Sequence, residues 1–121
     1  MENNYLIQNP ALGTPGKEQE LAILFLDIRN FTGLMESQPA QTVIGIVRRL
    51  FTAFNHVIKN FQGKVVEMAG DNLYAVFGLQ TNLREATNNA YQAIQTMFQT
   101  VKLFNEAYTE PYAGGPLEIG V

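Results

Sequence analysis

The sequence contains no cysteine and a single histidine, His56. Without thiols, this chain cannot form disulfides, thiolate nucleophiles, zinc–cysteine sites or iron–sulfur clusters, and one histidine cannot build a histidine-rich metal site. Metal chemistry in these residues must therefore use carboxylates, which are the ligands that hard cations such as Mg²⁺ prefer. We expect His56 itself to lie at the edge of a helix and not to bind a ligand.

Charged residues and long apolar runs are also scarce. Charged residues make up 16% of the chain and its net charge is −3, so it lacks the basic stripe of proteins that bind nucleic acid. No apolar run approaches the roughly 18–20 residues of a membrane span, and no signal peptide opens the sequence. We therefore expect no nucleic-acid partner, no membrane segment and a cytoplasmic location. A nucleotide held on a metal ion stays compatible with this charge, because the metal supplies the positive charge.

The composition that remains is that of one globular domain. The chain has 121 residues, of which 46% are hydrophobic, and this length suits a single domain. Residues 1–20 are polar, with prolines and glycines, and we expect an arm or linker there. Residues 21–121 form the predicted domain. It opens with the apolar run Leu21–Leu26, which ends at Asp27 and predicts a central strand buried on both faces.

Periodicity and turn residues predict the other elements. Apolar residues at three-and-four spacing indicate two amphipathic helices, and glycine favours the turns, including a left-handed cap at Gly63 after the first helix. The predicted elements are a turn region at 28–39, a helix over 43–61 ended by Gln62–Gly63, strands Lys64–Ala69 and Asn72–Phe77 around Gly70–Asp71, a helix from about Leu83 to Asn105, a loop at 108–116 and the start of a strand at 117–121.

The order of these elements is strand, helix, hairpin, helix, strand. This order predicts an α+β domain with the ferredoxin-like βαββαβ arrangement, in which an antiparallel sheet carries both helices on one face. The aromatic and methionine pairs of the two helices, Phe51 with Phe54 and Met97 with Phe98, are expected in the core. A strand that ends at Asp27 and a hairpin tip at Asp71 can be neighbours in such a sheet.

Asp27 and Asp71 are the two carboxylates at special positions. Each alone could cap a segment or fill a turn, as aspartate often does. Two carboxylates that face one crevice need positive charge between them, or one must stay protonated. Two divalent ions that bridge the carboxylates and a substrate phosphate would satisfy this requirement for phosphoryl chemistry.

Two longer stretches around these residues resemble a known family. The stretch FLDIRNFT at 25–32 and the stretch GKVVEMAGDNLYAVFG at 63–78 resemble the first two signatures of the class III adenylate/guanylate cyclase catalytic domain. Leu117–Val121 looks like the start of the family's next strand, so the resemblance covers residues 21–121. It implies a lyase that converts ATP or GTP to the 3′,5′-cyclic nucleotide and pyrophosphate in signal transduction.

The resemblance also implies roles for individual residues. Asp27 and Asp71 match the aspartates that bind two Mg²⁺ or Mn²⁺ ions, and Ile28 matches the residue whose backbone carbonyl joins them. Residues Asn30, Phe31 and Thr32 match the loop whose backbone N–H groups receive the triphosphate. General physics agrees with this last role, because unpaired N–H donors at a helix start favour anions.

Glu67 lies three residues before Gly70–Asp71, and the resemblance places it at the position that reads the base. Members that make cyclic AMP usually have lysine there, whereas members that make cyclic GMP have glutamate, which accepts from the guanine N1–H and amino group. A solvated strand residue is an equally good interpretation of Glu67. We expect Arg29 at the surface rather than on a phosphate, and Tyr74 could face solvent, a partner domain or the substrate.

The family's later asparagine and arginine, and its second base-reading residue, would lie beyond Val121. We therefore expect that the carboxyl-terminal part of the domain is absent and that the isolated chain is inactive. In this family two domains pair head to tail, so a second cyclase domain, as in a homodimer, is the expected partner. The alternative is a non-catalytic cyclase-like module that dimerises or binds nucleotide. A diguanylate cyclase is disfavoured, because the Gly-Gly-Asp/Glu-Glu-Phe hairpin is missing.

Overall fold

The computed structural model describes residues 19–108 and 116–121. Most of the predicted arm, residues 1–18, and most of the predicted loop, residues 109–115, lie outside the described residues. The elements are β1 (Ala22–Ile28), α1 (Phe31–Ser37), α2 (Ala40–Asn60), β2 (Gly63–Ala69), β3 (Asn72–Phe77), α3 (Leu83–Tyr108) and β4 (Ile119–Gly120).

The four strands form one sheet in the order β2-β3-β1-β4. Every neighbouring pair is antiparallel, so the predicted βαββαβ arrangement is confirmed. The register places Phe25 opposite Tyr74 and Asp27 opposite Asn72 between β1 and β3, and Gly120 of β4 opposite Asp27. Residues opposite each other share a face of the sheet, and the site is built from this register.

The hydrophobic core lies between the helices and one face of the sheet. Alternate residues of the two central strands point into it, and each of the two long helices contributes one apolar stripe. The core includes Leu24, Leu26 and Ile28 of β1, Leu73, Ala75 and Phe77 of β3, Val47, Leu50, Phe54 and Ile58 of α2, and Ala86, Ala93, Met97 and Val101 of α3. None of the helices in the described part of the chain is long and apolar enough to cross a lipid bilayer.

The opposite side of the sheet, which we call the open face, carries Ile23, Phe25, Asp27, Asn72 and Tyr74. The exposed fractions of Ile23 and Phe25 are 56% and 66%. The prediction that β1 is buried on both faces is therefore wrong. A continuous apolar run indicates burial but does not say what covers the second face, and here the helices cover only one.

Two further expectations need correction. The predicted turn region at 28–39 contains the seven-residue helix α1. Its glycine and serine hide the helical pattern, and its only fully buried residue is Leu34. On α3, Phe98 was expected in the core beside Met97, but 47% of Phe98 is exposed while Met97 is fully buried. Adjacent helical residues point about 100° apart, and on α3 Met97 points into the core while Phe98 points toward its exposed side.

The end of α2 also differs from the prediction. Gln62, not Gly63, adopts the left-handed conformation, with a φ of 67°. Gly63 is required for another reason, because a Cβ there would lie 2.5 Å from the Phe77 ring. The chain therefore places a residue with a Cβ where glycine would be unstrained.

Replacing Gln62 with glycine is expected to stabilise the fold. The left-handed conformation costs a non-glycine residue roughly 1–2 kcal/mol, and the greater freedom of glycine in the unfolded chain offsets part of this gain. We expect Gln62→Gly to raise the free energy of unfolding by about 0.5–1 kcal/mol in urea titrations. Gln62→Ala is the matched control and should give no gain. Equal stability of Gln62→Gly and wild type would show that the turn is not strained.

Candidate functional site

The end of β1 and the β2–β3 hairpin turn meet at one end of the two central strands, β1 and β3. Asp27 is the penultimate residue of β1, and its side chain is about half exposed on the open face, at 51%. The Ile28 N–H donates a hydrogen bond of 2.8 Å to the Asp71 carbonyl. The structure therefore brings the backbone of Asp71 beside Ile28, the residue after Asp27, although Asp71 is far from both in sequence.

The hairpin turn depends on Gly70, which precedes Asp71 directly. Its φ of 56° lies in the left-handed region, where glycine is favoured because it has no Cβ. This conformation reverses the chain within two residues and returns β3 alongside β1. The positive φ predicted for Gly70 is confirmed, and it fixes the backbone from which the Asp71 side chain extends.

A β-bulge in β2 decides where Glu67 points. Val65 pairs with Ala75 and Glu67 pairs with Tyr74, so one extra residue, Val66, lies between these two pairs. Without the extra residue, strict alternation would turn Glu67 to the helix side of the sheet. The bulge instead places Glu67, which is exposed, on the open face beside Tyr74.

These side chains line a cleft of about 500 Å³ on the open face, which falls within the range of small-molecule sites. Its lining includes Phe25, Asp27, Arg29, Glu67 and Tyr74. Tyr74, whose surroundings the sequence left open, lines this cleft. Asp71 and Ile28 are not part of the lining, but each directly adjoins a lining residue in the chain, Asn72 and Asp27 respectively.

Sequence reasoning missed Phe25 as a residue of the cleft. Its ring stacks on the Tyr74 ring, with the centroids 4.8 Å apart and the planes 11° apart. A signal was present, because residues two apart in a strand share a face, and Phe25 is two residues before Asp27. Treating β1 as buried on both faces hid this signal.

Arg29 lies at the surface, as expected, but its charge is not free. Its Nε lies 3.5 Å from Oδ1 of Asp27, and the exposed fractions of the two side chains are 60% and 51%. The backbone N–H of Arg29 also donates a 2.8 Å hydrogen bond to the Glu118 carbonyl, next to β4. The sequence did not predict this pairing, since it depends on how β4 aligns with the end of β1.

The residues predicted to receive phosphate form the start of α1. Asn30 is the N-cap in a left-handed conformation, with a φ of 54°, and its side chain makes no capping hydrogen bond. The Leu34 N–H donates to the Asn30 carbonyl at 3.0 Å, so the helix hydrogen bonds begin there. The N–H groups of Phe31, Thr32 and Gly33 precede that first bond and have no acceptor within an α-helix.

The Phe31 side chain points away from the cleft. It packs against the core and lines a separate groove of about 330 Å³ between α2 and the hairpin. Thr32 is exposed. Any contact that Phe31 makes with a phosphate must therefore use its backbone N–H, which is the group that the resemblance to the cyclases implies.

The oxygen donors at this edge suit a hard divalent cation. Two carboxylates and a backbone carbonyl are the ligand types that Mg²⁺ and Mn²⁺ prefer. Within residues 19–108 and 116–121, no group of three or more His, Asp or Glu side chains could hold a metal ion. Two aspartates alone leave most of an octahedral shell to water and substrate phosphate, which is how Mg²⁺ is usually bound in phosphoryl-transfer sites.

Comparison with known proteins identifies the family. The family model of the adenylate and guanylate cyclase catalytic domain matches residues 14–121. An uncharacterized protein of Mycobacterium tuberculosis is 36% identical over 76 residues, which are 63% of this chain and 13% of that protein. The receptor-type guanylate cyclase gcy-28 of Caenorhabditis elegans is 31% identical over 84 residues, which are 69% of this chain and 7% of that protein.

Solved structures show the same fold. The adenylyl cyclase CyaB of P. aeruginosa superposes with a TM-score of 0.75 at 21% identity, covering 85% of this chain and 55% of that one. The guanylyl cyclase Cya2 gives 0.72 at 23% identity, with coverages of 86% and 54%. The guanylate cyclase domain of RhGC from Catenaria anguillulae, solved in complex with GTP, gives 0.70 at 20% identity, with coverages of 84% and 53%.

The chain therefore belongs to the adenylate and guanylate cyclase catalytic domain family, and its α+β fold is the cyclase fold. It spans about half the length of these solved cyclase chains and 13% of the mycobacterial relative.

Proposed function

We propose that this chain forms the metal- and triphosphate-binding part of a class III nucleotide cyclase, which converts GTP or ATP to the 3′,5′-cyclic nucleotide and pyrophosphate. The observation that supports this most is the contact between the Asp71 backbone and Ile28, next to Asp27. It joins the two family signatures at one edge of the cleft.

In this proposal, Asp27 and Asp71 hold two Mg²⁺ or Mn²⁺ ions, and the Ile28 carbonyl completes the protein's share of the ligands. Ions held there would supply positive charge to the ribose 3′-oxygen and to the β- and γ-phosphates. The backbone N–H groups at Asn30, Phe31 and Thr32 receive the triphosphate at the start of α1. These residues bind and orient the nucleotide so that its 3′-oxygen lies near the α-phosphorus.

Glu67 is proposed as the residue that reads the base, with a preference for guanine. Its carboxylate accepts from the guanine N1–H and amino group, whereas adenine has no N1 donor. The bulge supports this role because it turns Glu67 toward the cleft side of the sheet.

The proposed partner is a second cyclase domain, as in a homodimer. We infer that the 121-residue chain on its own binds metal and triphosphate weakly and makes no cyclic nucleotide above background. A transition-state arginine of this kind typically contributes about 10³–10⁵ in rate, and none of the residues matched to the two family signatures takes that role.

Asp71→Asn is expected to weaken Mn²⁺ binding in the presence of GTP by about tenfold or more, because one carboxylate ligand loses its charge. Isothermal titration calorimetry of the 121-residue chain with Mn²⁺ and a non-reacting GTP analogue measures this effect. Glu36→Gln, an exposed carboxylate on α1, is the matched control and should leave the affinity unchanged. Equal affinities for wild type and Asp71→Asn would refute the metal site.

A further inference from the structure

The ion pair between Arg29 and Asp27 puts a protein cation beside a proposed metal ligand. The Arg29 Nε lies 3.5 Å from Asp27 Oδ1, which is longer than the roughly 2.7–2.9 Å of a charge-assisted hydrogen bond. Both side chains are more than half exposed, so water screens the pair and competes with it. The contact is close enough to occupy the carboxylate and weak enough to be broken.

Gly120 gives the guanidinium a defined position. Gly120 pairs with Asp27 across β1 and β4, and a Cβ built on it would overlap the guanidinium of Arg29. The Arg29 side chain therefore lies across the bare backbone of Gly120. The φ of Gly120 is not positive, so backbone conformation does not require glycine at this position. The close approach of the Arg29 side chain does.

Arg29 and Asp27 also line the same cleft on the open face. A divalent cation that binds Asp27 there would meet the positive charge of Arg29 a few ångströms away. Like charges at this distance repel each other, and the repulsion weakens as salt screens it. The metal must therefore separate the guanidinium from the carboxylate before it gains the full attraction of Asp27.

We propose that Arg29 acts as a cation of the empty metal site. Its guanidinium lies over Gly120 and pairs with the Asp27 carboxylate until a divalent ion displaces the guanidinium. This inference rests on the proposed function, because it requires that Asp27 bind metal. Arg29 is a positioning residue in this scheme. It orients the carboxylate toward the cleft while the site is empty, and it sets how much free metal is needed to fill it.

The test measures Mn²⁺ binding to the 121-residue chain without nucleotide, by electron paramagnetic resonance of free Mn²⁺. Arg29→Gln is expected to lower the Kd for Mn²⁺ by roughly three- to tenfold in about 20 mM salt, with a smaller difference in about 300 mM salt. Arg84→Gln removes the same charge from an exposed position on α3 and should change the Kd much less.

Gly120→Ala tests the position of the Arg29 guanidinium separately from its charge. The added methyl group moves the guanidinium off its position while the net charge stays the same, so this variant should also bind Mn²⁺ more tightly than wild type. Arg29→Gln binding with unchanged or weaker affinity, or Arg84→Gln giving the same gain, would overturn the inference. Asp27→Asn distinguishes failure of the metal site from failure of the role of Arg29. If Asp27→Asn binds Mn²⁺ as tightly as wild type, the metal site itself is refuted. If Asp27→Asn loses Mn²⁺ binding but Arg29→Gln shows no gain in affinity, only the role of Arg29 is refuted.

Discussion

Asp27→Asn should lower the rate of cyclic nucleotide formation by about 10³-fold in a complete catalytic domain that contains this chain. Bound divalent ions stabilise the transition state of phosphoryl transfer by several kcal/mol, and about 4 kcal/mol corresponds to this factor. Asparagine keeps the size of the side chain and removes its charge. The assay measures cyclic product at saturating Mn²⁺ and triphosphate.

The fold should survive this substitution. Asp27 is about half exposed, and its ion pair with Arg29 is solvent-screened, so circular dichroism and thermal unfolding should match wild type within about 1 kcal/mol. Glu36→Gln removes a carboxylate from an exposed position on α1 and should keep full activity. A loss of less than tenfold in Asp27→Asn would mean that this carboxylate does not hold a catalytic ion.

Glu67→Lys is expected to erode a preference for GTP over ATP. In the wild-type domain we expect kcat/KM for GTP to exceed that for ATP by tenfold or more. A carboxylate left without a donor partner in a closed site costs roughly 1–3 kcal/mol, and 1.4 kcal/mol is a factor of ten. Glu67 is exposed in the single chain, so this effect requires the nucleotide and a second domain to cover the cleft.

The measurement compares kcat/KM for both triphosphates in wild type and variant. Glu106→Lys introduces the same change of charge at an exposed position on α3 and should leave the ratio of the two values unchanged. If the wild-type domain uses ATP as well as GTP, or if Glu67→Lys keeps the wild-type ratio, then Glu67 is a solvated strand residue and does not read the base.

The sequence predicted the topology well because local patterns determine most of it. The stripe on α2 from Val43 to Ile58 and the alternation of Leu73, Ala75 and Phe77 each have one period and one buried face. Gly70 also marked the hairpin correctly. These signals are short-range, so they survive without knowledge of tertiary contacts.

The errors arose where tertiary contacts override local pattern. Phe25 belongs to a continuous apolar run, yet it is exposed, because the run alone does not say whether helices cover both faces of the sheet. Gln62 takes a left-handed conformation that glycine would favour, because Gly63 is needed for the close approach of Phe77.

In the candidate site too, local patterns could be predicted and tertiary contacts could not. Asp27 and Asp71 could be proposed from the sequence, since Asp27 follows a predicted strand and Asp71 lies at the tip of the predicted hairpin. The ion pair of Asp27 with Arg29 could not, because it depends on Gly120 of β4 lying opposite Asp27. The orientation of Glu67 was equally out of reach, as a bulge at Val66 reverses the face that alternation would assign.

The most direct test of the account is to identify the product that a complete catalytic domain containing this chain makes from GTP and ATP with Mn²⁺. Mass spectrometry of the nucleotide and an enzymatic assay of pyrophosphate measure both products in the same reaction. The account predicts 3′,5′-cyclic nucleotide and pyrophosphate in equal amounts, with cyclic GMP in excess over cyclic AMP. Triphosphate that binds but stays unchanged would contradict it, and would identify the domain as a cyclase-like module that binds nucleotide without catalysis.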